Sequence, residues 1–193
     1  INTDVGSIEK YIDFRVRSKM WDLYVDAIET NNVPLELYSW PLISEDFCSE
    51  LIQSAEDFGE WTNKRHDYYP THDILLKDFG YGEIWDSILE EYAHPVVRDI
   101  WKLEGFDNMD NESFIVKYDL ESENFQPDLA VHHDGSIYTF VVALNNDYEG
   151  GGTWFPRQKY LINGEVGHVT VHPTVTHRHG AKAVTFGVRY TLI

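Results

Sequence analysis
The sequence predicts an α+β protein in which helices precede an antiparallel barrel or jelly roll. Three observations predict it. Apolar residues recur at helical spacing up to about Gly105, short runs rich in β-branched and aromatic residues follow, and the gaps between those runs are rich in Gly and Asn.

The elements can be read in order. Ile8, Tyr11, Ile12, Trp21, Tyr24, Val25 and Ile28 fall at helical spacing. Ser44 stands where an N-cap belongs, ahead of Phe47, Leu51, Ile52 and Ala55, because its hydroxyl can accept from the free N–H groups of a first turn. A third helix is expected from Gly82 to about Lys102 through Ile84, Ile88, Leu89, Tyr92, Val96, Val97 and Ile100, and Pro95 should kink or divide it. Short strands are read at Leu35–Trp40 and Ile74–Leu76. Beyond Gly105 strands are expected at Ser113–Tyr118, Ala130–Asp134, Tyr138–Leu144, Thr153–Phe155, Val166–His172 and Ala183–Leu192. Asn145-Asn146-Asp147, Gly150-Gly151-Gly152 and Asn163-Gly164 separate them as turns. The triple glycine reads as a permissive hairpin turn, since no Lys-Ser or Lys-Thr follows it as in a phosphate-binding loop.

With 193 residues, 42% of them hydrophobic and 15% aromatic, the chain has material for one sizeable core. It is read as a single domain over residues 1–193, with 1–105 a mainly helical support region and 106–193 the jelly-roll core. A formal charge of −18 argues against nucleic acid or an anionic membrane as partner, because phosphate contacts need clustered Lys and Arg. A basic polypeptide suits that charge, as does a simply solvated surface. The longest apolar stretch, Tyr138 to Leu144, is too short to span a bilayer, and charges interrupt the first thirty residues, so no membrane segment or leader is expected in this stretch. It opens on Ile1 and is read as an excised piece of a longer protein. Cys48 is the one cysteine, which excludes an intrachain disulfide, and its helix-like surroundings suggest a buried, inert thiol.

Six of the nine histidines lie between residues 132 and 179, in the strand-like half. On a strand residues i and i+2 share a face, so His132 and Asp134 can point inward together while His133 points away. A His-x-Asp pair alone is weak, because a chain with this many His and Asp contains one by chance. For a third ligand His168, His172, His177 and His179 are candidates, and periodicity does not separate the last two. Arg189 favours His179, since a hairpin turning near Ala181–Ala183 would bring both into one pocket. Two imidazoles and one carboxylate on one face of Fe(II) leave the opposite positions open, and an arginine fork suits the carboxylate of a keto acid.

At these residues a family resemblance becomes specific. His132 through Asp147-Tyr148-Glu149-Gly150-Gly151-Gly152, His172-Pro173, Thr176-His177-Arg178-His179-Gly180 and Gly187-Val188-Arg189-Tyr190 resemble the C-terminal catalytic domain of procollagen lysyl hydroxylases, strongly over roughly the last eighty residues. The resemblance implies a double-stranded β-helix flanked by helices. It implies Fe(II) held by His132, Asp134 and His179, the distal carboxylate of 2-oxoglutarate held by Arg189, and Tyr118 beside the keto acid. It further implies hydroxylation of lysine in X-Lys-Gly sequences of collagen with O2, ascorbate to rescue oxidised iron, and a homodimer. Acidic residues from Asp119 to Asp128, Glu121 and Glu123 among them, are candidates to attract a Lys-rich collagen strand. One departure is the cysteine content: animal members work in the endoplasmic reticulum and carry cysteine pairs, so the compartment stays open here, with cytosol or a viral factory compatible. The glycosyltransferase signature Asp-x-Asp of larger members is not in this stretch. A prolyl hydroxylase with the same site, a cupin-like metalloenzyme without a keto acid, and a noncatalytic collagen-binding module are the alternatives.

Overall fold
The computed structural model describes residues 5–66, 68–104, 110–120 and 126–193, with the side chains of 5–7 left aside. Its start departs from the sequence expectation. Where one helical stripe was expected over Ile8–Ile28, the chain forms two short 3-10 turns, Val5–Lys10 and Trp21–Leu23, then strand β1 (Asp26–Thr30). Asn31 and Asn32 adopt positive φ of 52° and 61°, a turn that Asn tolerates, and fold β1 back on β2 (Val33–Pro41). Ile8, Tyr11, Ile12 and Val16 are nonetheless buried in the main core, so the apolar spacing served packing without a continuous helix.

Helix α1 (Glu45–Phe58) begins as expected, the Ser44 hydroxyl accepting from the Phe47 N–H at 3.2 Å, and ends at Gly59 in the left-handed conformation. Strand β3 (Asp73–Leu75) leads into a 3-10 turn at Leu76–Phe79. The third expected helix is divided into α2 (Gly82–Ile88), a π turn at Leu89–Ala93, and α3 (His94–Trp101). Pro95 falls in the first turn of α3, where a residue without N–H breaks no ladder bond. Then follow β4 (Phe114–Tyr118), β5 (Leu129–His132), β6 (Tyr138–Ala143), β7 (Glu149–Gly150), β8 (Thr153–Phe155) and β9 (Tyr160–Ile162). The last four strands are β10 (His168–Pro173), β11 (His179–Ala181), β12 (Val184–Phe186) and β13 (Arg189–Leu192).

Among the described residues a seven-stranded antiparallel sheet runs β1-β2-β10-β6-β13-β4-β3, a four-stranded sheet runs β5-β11-β8-β9, and β12 pairs with β7. The two larger sheets face each other as a jelly roll. Alternation along the strands decides what each face does. Val169 and Val171 of β10, Val142 of β6 and Tyr190 and Leu192 of β13 join one buried cluster with Phe47, Leu51, Trp85, Ile88, Val96 and Val97 of the helices. Their alternates, Thr170, His172, Thr139, Val141, Arg189 and Thr191, face the smaller sheet.

Two expectations need correction. The region before Gly105 is more than a helical support, because β1, β2 and β3 within it build both edges of the larger sheet. The strand expected at Ala183–Leu192 is broken at Gly187, whose φ is 75° and where a Cβ would come within 2.7 Å of the Asp147 carbonyl. Consequently β11 and β13 lie in different sheets and form no hairpin. Cys48 is buried and free, and burial pushes its thiol up to about 12, as an inert thiol requires. No helix of the described residues is long and apolar enough to cross a membrane. Glu121 and Glu123 lie outside the described residues.

Candidate active site
Register brings the first two groups together. His132 closes β5 directly opposite His179, which opens β11, and their ring centroids lie 4.7 Å apart. Asp134 is not on the strand as expected, since β5 stops at His132, and the carboxylate swings in from the loop toward β6. Its Oδ1 is 3.1 Å from His132 Nε2 and its Oδ2 is 3.5 Å from His179 Nε2. One donor atom from each of the three residues lies within 4.8 Å of the others, a span that a single divalent cation could fill.

The surroundings prepare these atoms. His132 Nδ1 is 2.8 Å from the Ala130 carbonyl and His179 Nδ1 is 3.2 Å from the His177 carbonyl. A carbonyl only accepts, so each Nδ1 carries the proton and each Nε2 presents its lone pair to the centre. Thr139 donates to Asp134 Oδ2 at 2.5 Å and so orients the carboxylate. Burial alone would raise the Asp134 pKa, but the His132 and His179 imidazoles and the Thr139 hydroxyl hold it well below the usual range. Burial lowers His179, and Asp134 only partly offsets it. For His132 burial also lowers the pKa, yet in the metal-free protein the protonated ring can donate to both Asp134 and Ala130, which outweighs burial and makes the net direction upward.

The remaining histidines divide cleanly. His177 is committed elsewhere, its Nε2 2.7 Å from the Leu35 carbonyl and its Nδ1 2.9 Å from the Thr176 hydroxyl. His133 faces away, with Nδ1 2.7 Å from the Thr174 carbonyl. His168 sits 3.3 Å from both Glu165 and Arg15. His172 is fully buried, 4.5 Å from the His179 ring between centroids, and neither of its nitrogens has a partner among the described residues.

Arg189 is only 5% exposed. Its Nη2 donates to Thr153 Oγ1 at 3.3 Å, its Nε has no acceptor, and no carboxylate of the described residues lies within ion-pairing distance. Its Cζ stands 5.1 Å over the ring of Tyr118, its partner across the β13/β4 pair. Burial raises the Tyr118 pKa against the lowering influence of Arg189, so the phenol stays protonated. A buried guanidinium with one weak hydrogen bond is costly, and an anionic ligand would satisfy it. Val141, Thr153, Phe155, Ile162 and Thr170 line the cleft in which it ends. The triple glycine borders this site: Gly150, Gly151 and Gly152 all have positive φ, 75°, 68° and 93°, and a Cβ on Gly151 would sit 3.1 Å from Arg189 Cδ.

Sequence reasoning missed Thr139, Thr153 and Tyr69, whose ring stacks on His132 at 5.0 Å. Thr139 had a signal, a polar residue set between Tyr138 and Phe140 in an otherwise apolar strand, and Thr153 had only its place at the head of the Thr-Trp-Phe run. Tyr69 had none.

No family profile matches the sequence. Individual relatives do. The human multifunctional procollagen lysine hydroxylase and glycosyltransferase LH3 is 34% identical over 174 residues, which are 82% of this chain and 23% of that protein. A procollagen lysyl hydroxylase and glycosyltransferase from Acanthamoeba polyphaga mimivirus is 34% identical over 82% of this chain and 19% of its own length. The mouse procollagen-lysine,2-oxoglutarate 5-dioxygenase 2 is 32% identical over 96% of this chain and 26% of its length. Among solved structures, the viral collagen prolyl hydroxylase of Paramecium bursaria Chlorella virus-1 in its 2OG complex superposes with a TM-score of 0.60 at 18% identity, over 81% of this chain and 92% of that one. The jelly roll is therefore the fold of the 2-oxoglutarate/Fe(II) oxygenases. Within that class the chain belongs to the procollagen lysyl hydroxylase family, and it spans about a quarter of the length of the relatives it matches.

Proposed function
We propose that residues 1–193 form one catalytic domain that hydroxylates lysine at C5 in X-Lys-Gly sequences of collagen-like chains, converting 2-oxoglutarate and O2 to succinate and CO2. The observation that carries this reading is the buried Arg189, with no carboxylate partner among the described residues, in the same barrel as the His132, Asp134 and His179 cluster. The cluster fits Fe(II), because its three donors leave the opposite coordination positions open. Iron bound there would supply O2 activation at the expense of the keto acid.

The protein's own groups then have separate tasks. Arg189, with Thr153 and Tyr118 around it, fixes the distal carboxylate and so the direction of the co-substrate. Nδ1 hydrogen bonds to Ala130 and His177 keep both histidines in the ligating tautomer. The sheet walls and Phe155 exclude water from the oxidising centre. Beside His132 an open groove walled by Tyr68, Tyr69, Pro70, Gln126 and Asp128 is the approach for a peptide, and Asp128 gives it the charge to favour a basic one. The same reading includes ascorbate as reductant and a homodimer.

The test is incubation with Fe(II), 2-oxoglutarate and either Lys-Gly or Pro-Gly collagen peptides, followed by mass spectrometry. Oxygen addition to the lysine peptide that requires 2-oxoglutarate is expected. Addition only to the proline peptide, or turnover without the keto acid, would sink the reading.

A further inference from the structure
We infer that His172 is a positioning residue for the co-substrate, its imidazole hydrogen-bonding the end of the keto acid that reaches the metal. The inference rests on the function proposed above.

His172 is 0% exposed and both of its ring nitrogens lack a partner among the described residues. A buried imidazole leaves at least one N–H and one lone pair to satisfy, and an interior that leaves both open is destabilised unless something else enters. The apolar part of the ring is already served, by Phe155 edge-on at 5.0 Å. That contact answers neither nitrogen.

Register states where the missing partner would lie. Across the β10/β6 pair Thr170 is opposite Val141 and His172 is opposite Thr139. Thr170 and Val141 line the cleft that ends at Arg189, whereas Thr139 holds Asp134 of the metal cluster. His172 is thus one strand repeat, about 7 Å, further along the same inward face, between the carboxylate anchor and the ligands. Its ring also stands edge-on to His179, 4.5 Å between centroids at 69°. An extended dicarboxylic keto acid with one end on Arg189 and the other at the cluster would bring its metal-bound end toward the His172 ring, which touches that of His179. Of the four histidines that compete as a third ligand, His177 and His168 have protein partners and His179 faces Asp134, so His172 alone is left with both nitrogens open.

The experiment is an anaerobic titration of the Fe(II)-loaded protein with 2-oxoglutarate, read by the visible charge-transfer band between metal and keto acid, for the parent, His172→Phe and His172→Gln. Phe conserves the packing on Phe155, and Gln returns an amide donor. His172→Phe should keep Fe(II) affinity within about threefold and bind 2-oxoglutarate at least about tenfold more weakly, with the band displaced, and His172→Gln should recover most of the loss. A second readout needs no substitution: in the Zn(II)-loaded parent labelled with 15N-histidine, 2-oxoglutarate should shift a His172 ring nitrogen as its hydrogen bond forms. A folded His172→Phe protein with unchanged affinity and band overturns the inference, as does an unmoved His172 resonance in a saturated parent. If the parent itself shows no band with 2-oxoglutarate, the proposed function has failed first, and the inference with it.

Discussion
Replacing Arg189 by Met should separate co-substrate binding from stability. Among the described residues the guanidinium, 5% exposed, keeps one 3.3 Å hydrogen bond to Thr153 and a position over the Tyr118 ring, and its Nε has no acceptor. Met fills a similar volume without charge. The variant therefore loses one hydrogen bond and the cation–π contact with Tyr118, about 1–2 kcal/mol together, and is relieved of a buried charge that has no anionic partner among the described residues. Since about 1 kcal/mol moves Tm by roughly 2–4 °C in a domain of this size, the ligand-free Tm should stay level or rise by a few degrees. With 2-oxoglutarate the balance reverses. Truncating one side of a buried, hydrogen-bonded charge pair costs about 2–5 kcal/mol, so the Kd should rise roughly 30-fold to 4,000-fold.

The assay is thermal unfolding of the metal-loaded, anaerobic protein with and without 2-oxoglutarate, backed by calorimetric titration. At a concentration about 100 times the parent's Kd the ligand contributes about 2.7 kcal/mol, a rise of roughly 5–10 °C. At the same concentration the variant should gain less than about 1 kcal/mol. A variant that binds 2-oxoglutarate within about fivefold of the parent would refute Arg189 as the anchor. A ligand-free Tm that collapsed would refute the other half of the reasoning, because it would reveal a structural partner for the guanidinium.

His179→Ala should abolish tight metal binding, whereas His177→Asn should lower stability by about 1–3 kcal/mol through its lost bond to the Leu35 carbonyl and leave metal affinity within a few fold, as metal titration and urea unfolding would report. Thr139→Val should weaken metal binding roughly 10-fold to 100-fold by freeing Asp134, measured in competition with a chelator. Gly151→Ala places a Cβ 3.1 Å from Arg189 Cδ at a φ of 68°, so Tm should fall by an amount matching about 1–2 kcal/mol and 2-oxoglutarate affinity should drop while metal affinity holds. Burial lowers the pKa of His72, His94 and His168 below the ordinary 6.5, so below about pH 6.5 the unfolded chain binds more protons than the folded one and stability rises with pH. Burial lowers His172 and His179 as well, so His132, raised, opposes this with one site against five. The urea midpoint of the metal-free protein should therefore fall from pH 7.5 to 5.5, about one unit either side of that ordinary value, and an unchanged midpoint would contradict it.

What could be read in the sequence was local or periodic. Ser44 announced α1, and Pro95 announced a division that the structure makes with a π turn. Asp134 was chosen for the wrong reason: strand alternation pointed to it, yet β5 ends at His132 and a loop delivers the carboxylate. Arg189 and His179 were linked through a hairpin that does not exist, and what brings both to the interior is the facing of two sheets. The helical reading of Ile8–Ile28 failed because Asn31-Asn32 makes a tight turn whose partner strand, β2, is itself paired to β10 more than a hundred residues later. Periodicity in a window holds no information about such a pairing.

That long-range pairing is also what makes the site a unit. Thr139 stands opposite His172 in the β10/β6 register and donates to Asp134, so the carboxylate of the metal cluster is oriented from the sheet that carries Arg189. The outer face of the same strands, through Val169, Val171 and Val142, is packed beneath the helices. A slip of one residue in β10 would exchange Thr170 and His172 for Val169 and Val171 and place two polar groups against an apolar core. The packing that stabilises the fold therefore fixes which side chains enter the barrel. The β5/β11 register sets His132 against His179 and the β10/β6 register sets His172 against Thr139, with a loop contributing Asp134.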